Sequence, residues 1–178
     1  MALHALVQLR IWSSLRESPL LFGATLSLLS TALAGTAGGL LLLALGQDGI
    51  GRSAAAGLLS MSEPWLFVYS VIIIPAFETL TGQLVFIEIL RWLRAPAMLS
   101  IVSSAAVFGV GHYVNGGIGH GTTSFLSGLV FSYAYLSFRN QSVGRSFLCA
   151  WSSHALHNFL LLYVVAKLLG LSWAAGDA

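Results

Sequence analysis

Four side chains that could do chemistry together lie in three apolar stretches of this sequence. Glu78 follows the apolar run 65–77, where a carboxylate costs about 2.5–3.5 kcal/mol on insertion scales and so marks a functional site. His112 lies in a second apolar stretch, and His154 and Asn158 lie in a third. Because a carboxylate and imidazoles move protons and an amide donates hydrogen bonds, this set is typical of a catalytic site.

The spacing of these residues places them on common helix faces. Phe108 and His112 are four residues apart, as are His154 and Asn158, so each pair shares one face of a helix. Glu78 lies near the middle of its apolar stretch, and the depths of the two histidines allow all of these side chains to converge.

The composition predicts an integral membrane protein. The chain has 178 residues, of which 57% are hydrophobic and only 8% charged, whereas soluble domains carry about a quarter charged residues. A net charge of +2 is too small and too scattered to indicate nucleic-acid binding. The single cysteine, Cys149, excludes an internal disulfide and a thiolate metal site, and is typical of a packing residue.

The hydropathy pattern predicts an all-α polytopic bundle of about five spanning helices. Residues 1–18 alternate apolar and polar positions and predict an interfacial amphipathic helix, and residues 19–178 form one membrane domain with the site core at 64–162. The predicted spans are 20–45, 64–92, 97–112, 122–138 and 146–169. A glycine-rich loop at 115–119 separates the third span from the fourth, and Pro75 predicts a kink before Glu78.

Charge asymmetry predicts the orientation of the five spans. With a cytoplasmic N-terminus, six of the eight basic residues fall on the cytoplasmic side. Only Arg52 and Lys167 then lie outside. The positive-inside rule therefore favours a cytoplasmic N-terminus and a C-terminus outside.

Several other residues receive structural predictions. His120 lies in the glycine-rich loop and is expected to face water, and His157 to pack between helices or line a cavity. Glu88 is expected to pair with Arg91 three residues later, and the GxxxG spacing of residues 35–39 predicts the close approach of a neighbouring helix.

The order Glu78, Phe108-x-x-x-His112, His154-x-x-x-Asn158 resembles the CPBP family of glutamic intramembrane endopeptidases. That family includes the CAAX prenyl endopeptidases and the bacterial Abi and bacteriocin-processing proteins. The resemblance covers about residues 64–162 and matches the second and third motifs in full.

The first motif departs from the family pattern, which has two adjacent glutamates and an arginine four residues after the second. Here Thr79 replaces the second acid and Gln83 the arginine. Positions i and i+4 can pair on a helix, so replacing both partners removes an ion pair without stranding a buried charge. This pattern favours a divergent working site, and an inactive relative remains an alternative.

The resemblance implies an endopeptidase that uses no cofactor and cleaves a membrane-associated protein. Glu78 would activate water with His112, while His154 and Asn158 stabilise the oxyanion. Thr79 and Gln83 would orient Glu78, and Phe108 would form a wall of the site. The bacterial members suggest a place in the inner membrane and a C-terminal anchor or sorting tail as substrate.

Two other functions fit the same residues. Glu78, His112 and His154 could be three zinc ligands of a metalloprotease, since two imidazoles and a carboxylate form a known catalytic set. Alternatively, the polar cavity could hold a peptide without cleaving it, as in a membrane binding or immunity protein.

Overall fold

The computed structural model describes residues 17–51, 58 and 61–168. Four helices in these ranges are long and apolar enough to cross a membrane: α1 (Pro19–Ile50), α2 (Glu63–Trp92), α3 (Ala97–Ser137) and α4 (Val143–Leu168). The described residues contain no strand, so the predicted all-α membrane bundle is confirmed. The predicted interfacial helix lies, except for Glu17 and Ser18, outside the described residues.

Helix α3 folds back on itself at Gly117. That residue has φ 76° and ψ −170°, a backbone geometry that glycine adopts without strain. A Cβ on Gly109 would lie 2.8 Å from Phe125, and the Ser132 hydroxyl donates to Ser104 at 2.9 Å, so contacts run antiparallel about residue 117. Residues 97–116 and 118–137 are therefore two arms, α3a and α3b.

Each arm has about 20 residues and is about 30 Å long, enough to cross a bilayer. The four helices thus contain five rods, which is the predicted number. The predicted loop at 115–119 contains this reversal but is too long, because helical geometry continues on both sides of Gly117 and one residue makes the reversal.

An ion-pair network joins the C-terminal ends of α2 and α3b. Glu88 accepts from Arg139 Nε at 2.6 Å and Nη2 at 2.7 Å, and from the Tyr135 hydroxyl at 2.9 Å. The predicted partner, Arg91, lies 3.9 Å away in a weaker contact. The bidentate pair is the stronger interaction because two parallel hydrogen bonds hold both carboxylate oxygens.

Most of the described basic residues lie at one end of the bundle. Arg91 and Arg94 lie at the C-terminal end of α2, while Arg139 and Arg145 lie around the turn between α3b and α4. Lys167 lies at the opposite end of α4, and at that same end Gly51 packs against Gly117. The four described arginines therefore lie at one end of the bundle, where we call them the arginine cluster, and Lys167 lies at the other.

Helix α1 packs closely against α4 at Gly23, not at the predicted GxxxG spacing. A Cβ on Gly23 would overlap Ser152 Oγ and the Cys149 carbonyl. A Cβ on Gly35 or Gly39 would meet no atom within 4 Å, so the prediction for that pair is wrong within the described structure.

Candidate active site

Glu78 lies at the middle of α2 and faces histidines from two other elements. Its Oε1 is 3.5 Å from His112 Nε2 on α3a, and its Oε2 is 3.4 Å from His154 Nε2 on α4. The carboxylate side chain is 28% exposed, and that of His154 only 3%. The structure therefore brings three sequence-selected side chains together, at separations slightly longer than direct hydrogen bonds.

Two wide turns of α2 flank Glu78. Residues 68–73 and 79–85 are π-helical, each with i→i+5 hydrogen bonding, and the second begins at the residue after Glu78. Such segments occur often at functional sites. Each inserts an extra residue into a turn, so it changes the direction in which later side chains project from α2.

The backbone of α3a sets the protonation of His112. Its Nδ1 lies 2.8 Å from the Phe108 carbonyl oxygen, which can only accept a hydrogen bond. The proton of the neutral ring is therefore assigned to Nδ1, and Nε2 presents a lone pair towards Glu78. The Phe108 ring, 4.3 Å away between centroids, packs against the imidazole.

His154 has the opposite arrangement. Its ring stacks on Phe131 at 4.4 Å between centroids, and its buried Nδ1 has no hydrogen-bond partner among the described residues. A proton on Nδ1 would be an unpaired buried donor, which costs about 1–3 kcal/mol. We therefore assign the proton to Nε2, where it points towards Glu78.

Asn158, on α4, donates a hydrogen bond to a backbone carbonyl of α2. A proline in α2 deprives this carbonyl of its backbone N–H donor. In the π-helical segment the Ile74 N–H donates to Tyr69, five residues earlier. In that register the next N–H would reach Ser70, but residue 75 is proline and has none. Asn158 Nδ2 donates to this Ser70 oxygen at 2.9 Å, which leaves its second N–H for the cavity.

A double-mutant cycle tests this arrangement. We expect Asn158→Ala to lower the free energy of unfolding by about 1–2 kcal/mol, because the Ser70 carbonyl loses its donor. In a Pro75→Ala background, the backbone N–H gained at position 75 can donate to the Ser70 carbonyl. Asn158→Ala should therefore cost about 0.5–1.5 kcal/mol less in that background. Unfolding in detergent micelles measures both.

Trp151→Phe is the matched control, because Trp151 Nε1 donates to the neighbouring Ile72 carbonyl at 3.2 Å. Its cost should be equal in both backgrounds. Equal costs of Asn158→Ala with and without Pro75 would contradict the proposed exchange of donors.

Thr79 and Gln83 are fully buried but do not contact Glu78 through hydrogen bonds. The Thr79 hydroxyl and both amide atoms of Gln83 lack partners among the described residues. A serine pair supports the same segment, because Ser104 donates to the Gly82 carbonyl at 2.7 Å and accepts from Ser132. The sequence contained no signal for this pair, since neither serine belongs to a motif.

Two cavities meet at Glu78, Phe108 and His112. The inner cavity, of about 280 Å³, lies between α1, α2, α3 and α4. It reaches His154, Asn158 and a row of hydroxyls on α3b (Thr123, Ser124 and Ser127). The second, of about 550 Å³, is a cleft between α2 and α3a with Gly82 and Gly111 in its wall. The carboxylate is therefore reached from two sides.

Two further histidines line the inner cavity. His120 stacks on His112 at 4.9 Å between ring centroids, so the expectation that it faces water is wrong. His157 lies between helices as expected, with Nδ1 3.0 Å from the Ser30 hydroxyl and Nε2 3.4 Å from that of Ser127. It links α1, α3b and α4 on the cavity wall.

Glu78, His112 and His154 are the three side chains predicted, as an alternative, to be zinc ligands. Within the described ranges, no three His, Cys, Asp or Glu side chains are arranged so that they could share a metal ion. The three-ligand zinc set predicted as an alternative thus receives no support from the placement of these side chains.

The comparisons with known proteins identify one family. Residues 60–160 match the family model described as type II CAAX prenyl endopeptidase, Rce1-like. The match covers more than half of the chain and contains Glu78, both site histidines and Asn158. The searches of curated proteins and of solved structures each gave no match.

Proposed function

The chain belongs to the Rce1-like family of type II CAAX prenyl endopeptidases, and from this premise we propose a glutamic mechanism in which Glu78 activates water. Family membership and the spanning helices make the protein a membrane-embedded peptide hydrolase of the CAAX type. The proposal adds the reacting groups and the substrate.

The observation that carries the proposal is the placement of Glu78 between two histidines, to which we assign opposite tautomers. His112 Nε2 and a Glu78 oxygen both accept hydrogen bonds, so one water can donate an O–H to each. The water oxygen then keeps its lone pairs free for a carbonyl carbon. Glu78 takes one proton during attack, which is general base catalysis.

His154 and Asn158 would stabilise the charge that develops on the substrate. As water adds to the carbonyl carbon, the carbonyl oxygen becomes an oxyanion. His154 Nε2–H and the second Asn158 N–H are available to donate to it, a role that is worth about 2.7–4 kcal/mol per donor. When the C–N bond breaks, protonated Glu78 returns its proton to the leaving amine, which completes the hydrolysis.

For the substrate we propose a membrane-associated protein with a C-terminal anchor or sorting tail. His112 lies five residues before the Gly117 turn, at the end of the bundle that carries Lys167 and lacks the arginine cluster. The positive-inside rule makes that end the outer one. We place the protein in a bacterial inner membrane, where this end would receive exported substrates.

Reconstitution with a labelled peptide tests the function. We expect purified protein in liposomes to cleave a peptide with an apolar C-terminal anchor, and to keep its rate after chelator treatment, because the proposed water is held without metal. Mass spectrometry of the products measures cleavage, and a prenylated CAAX peptide tests the alternative substrate.

Loss of cleavage on chelation and its return with zinc would establish the metalloprotease instead. Stable binding of intact peptide, with no product from either peptide, would identify the binding or immunity protein.

A further inference from the structure

His120 reaches the site because α3 reverses at Gly117. It lies in the first turn of α3b, three residues after the reversal, while His112 lies five residues before it on α3a. The two rings are 4.9 Å apart between centroids and tilted by only 28°. The His120 ring is half-buried, lines the inner cavity and makes no hydrogen bond to a described residue, while the backbone carbonyl of His120 accepts from the Thr123 hydroxyl at 3.1 Å.

The His112 ring needs more than its hydrogen bond to stay in place. That bond holds Nδ1 at the Phe108 carbonyl, whereas the reactive Nε2 lies on the other side of the ring. A single hydrogen bond leaves the ring free to tilt about it. The Phe108 ring meets the imidazole at 48°, while the His120 ring lies nearly parallel to it and so covers a ring face.

We propose that His120 is a positioning residue, whose ring keeps the Nε2 lone pair of His112 directed at the water beside Glu78. The proposal rests on the function proposed above. Among the described residues, the imidazoles within 4 Å of the Glu78 carboxylate are those of His112 and His154. His120 therefore acts through His112 and needs a flat ring, not a proton.

Three substitutions separate a positioning ring from a reacting imidazole. His120→Phe keeps a flat ring, His120→Gln keeps polarity without a ring, and His120→Ala removes both. We expect Ala and Gln to lower kcat about tenfold with KM within about twofold, because a small misplacement of a reacting group is costly. The kcat of His120→Phe should stay within about threefold of the kcat of the unchanged protein.

Val114→Ala is the control, because Val114 lies near the same reversal but is 75% exposed. It should leave kcat and KM unchanged. If Phe were as impaired as Ala, an imidazole nitrogen would be required and the proposal would be wrong. A rise in KM without a fall in kcat would instead make His120 a substrate contact, and would also overturn it.

A second measurement is independent of proteolysis. In ¹⁵N-histidine-labelled protein, NMR should show His112 as the single Nδ1–H tautomer in the unchanged protein and in His120→Phe. In His120→Ala we expect a mixture of tautomers. If no form of the protein cleaves peptides, the proposed function fails while these spectra still decide the role of His120. Identical His112 signals in all forms would refute it.

Discussion

Glu78→Gln is expected to lower the rate of peptide hydrolysis by about 10³-fold, within the range for loss of a general base. Glutamine keeps the size of the side chain and its place between the two histidines. It cannot take a proton from water or return one to the leaving amine. The rate of product formation in liposomes measures the loss, and the free energy of unfolding should change little or increase, because a half-buried carboxylate is removed.

Glu63→Gln is the matched control for this substitution. Glu63 starts the same helix and is exposed, so the same chemical change should leave the rate unaltered. Full activity in Glu78→Gln would contradict the proposed mechanism, whereas equal losses in both variants would show that the assay reports folding instead of chemistry.

Gln83→Arg is expected to lower the free energy of unfolding by about 3–5 kcal/mol, because it puts an unpaired charge at a position with no solvent exposure. Thr79 lies one turn earlier and is equally buried. Adding Thr79→Glu restores the i, i+4 pair implied by the family pattern, so the double variant should regain a large part of that loss. Unfolding in detergent measures each variant.

Gln83→Met separates charge from volume. Methionine is similar in length to glutamine and removes two amide atoms that lack partners within the described structure, so it should cost less than about 1.5 kcal/mol. If the double variant were no more stable than Gln83→Arg alone, positions 79 and 83 would not support an ion pair in this chain.

The sequence alone determined the fold class, the number of helical rods and the residues of the proposed site. Apolar stretches of spanning length must satisfy their backbone hydrogen bonds internally, and in this composition helices are the means. The cost of burying Glu78 singled it out before any contact was known. The spacing of the two histidine motifs placed each pair on one face, since residues four apart share a face in any helix.

The tertiary structure alone decided which faces meet. His120 reaches the site because the chain reverses at one glycine. Glu88 pairs with Arg139, which lies 51 residues further along the chain. The π-helical turns of α2 also change which side chains meet. Each residue rotates the direction of a side chain by about 100°, so an inserted residue redirects those that follow. Local spacing carries no record of such rotations or of distant neighbours, which is why the partners of His112, Asn158 and Glu88 required the packed bundle.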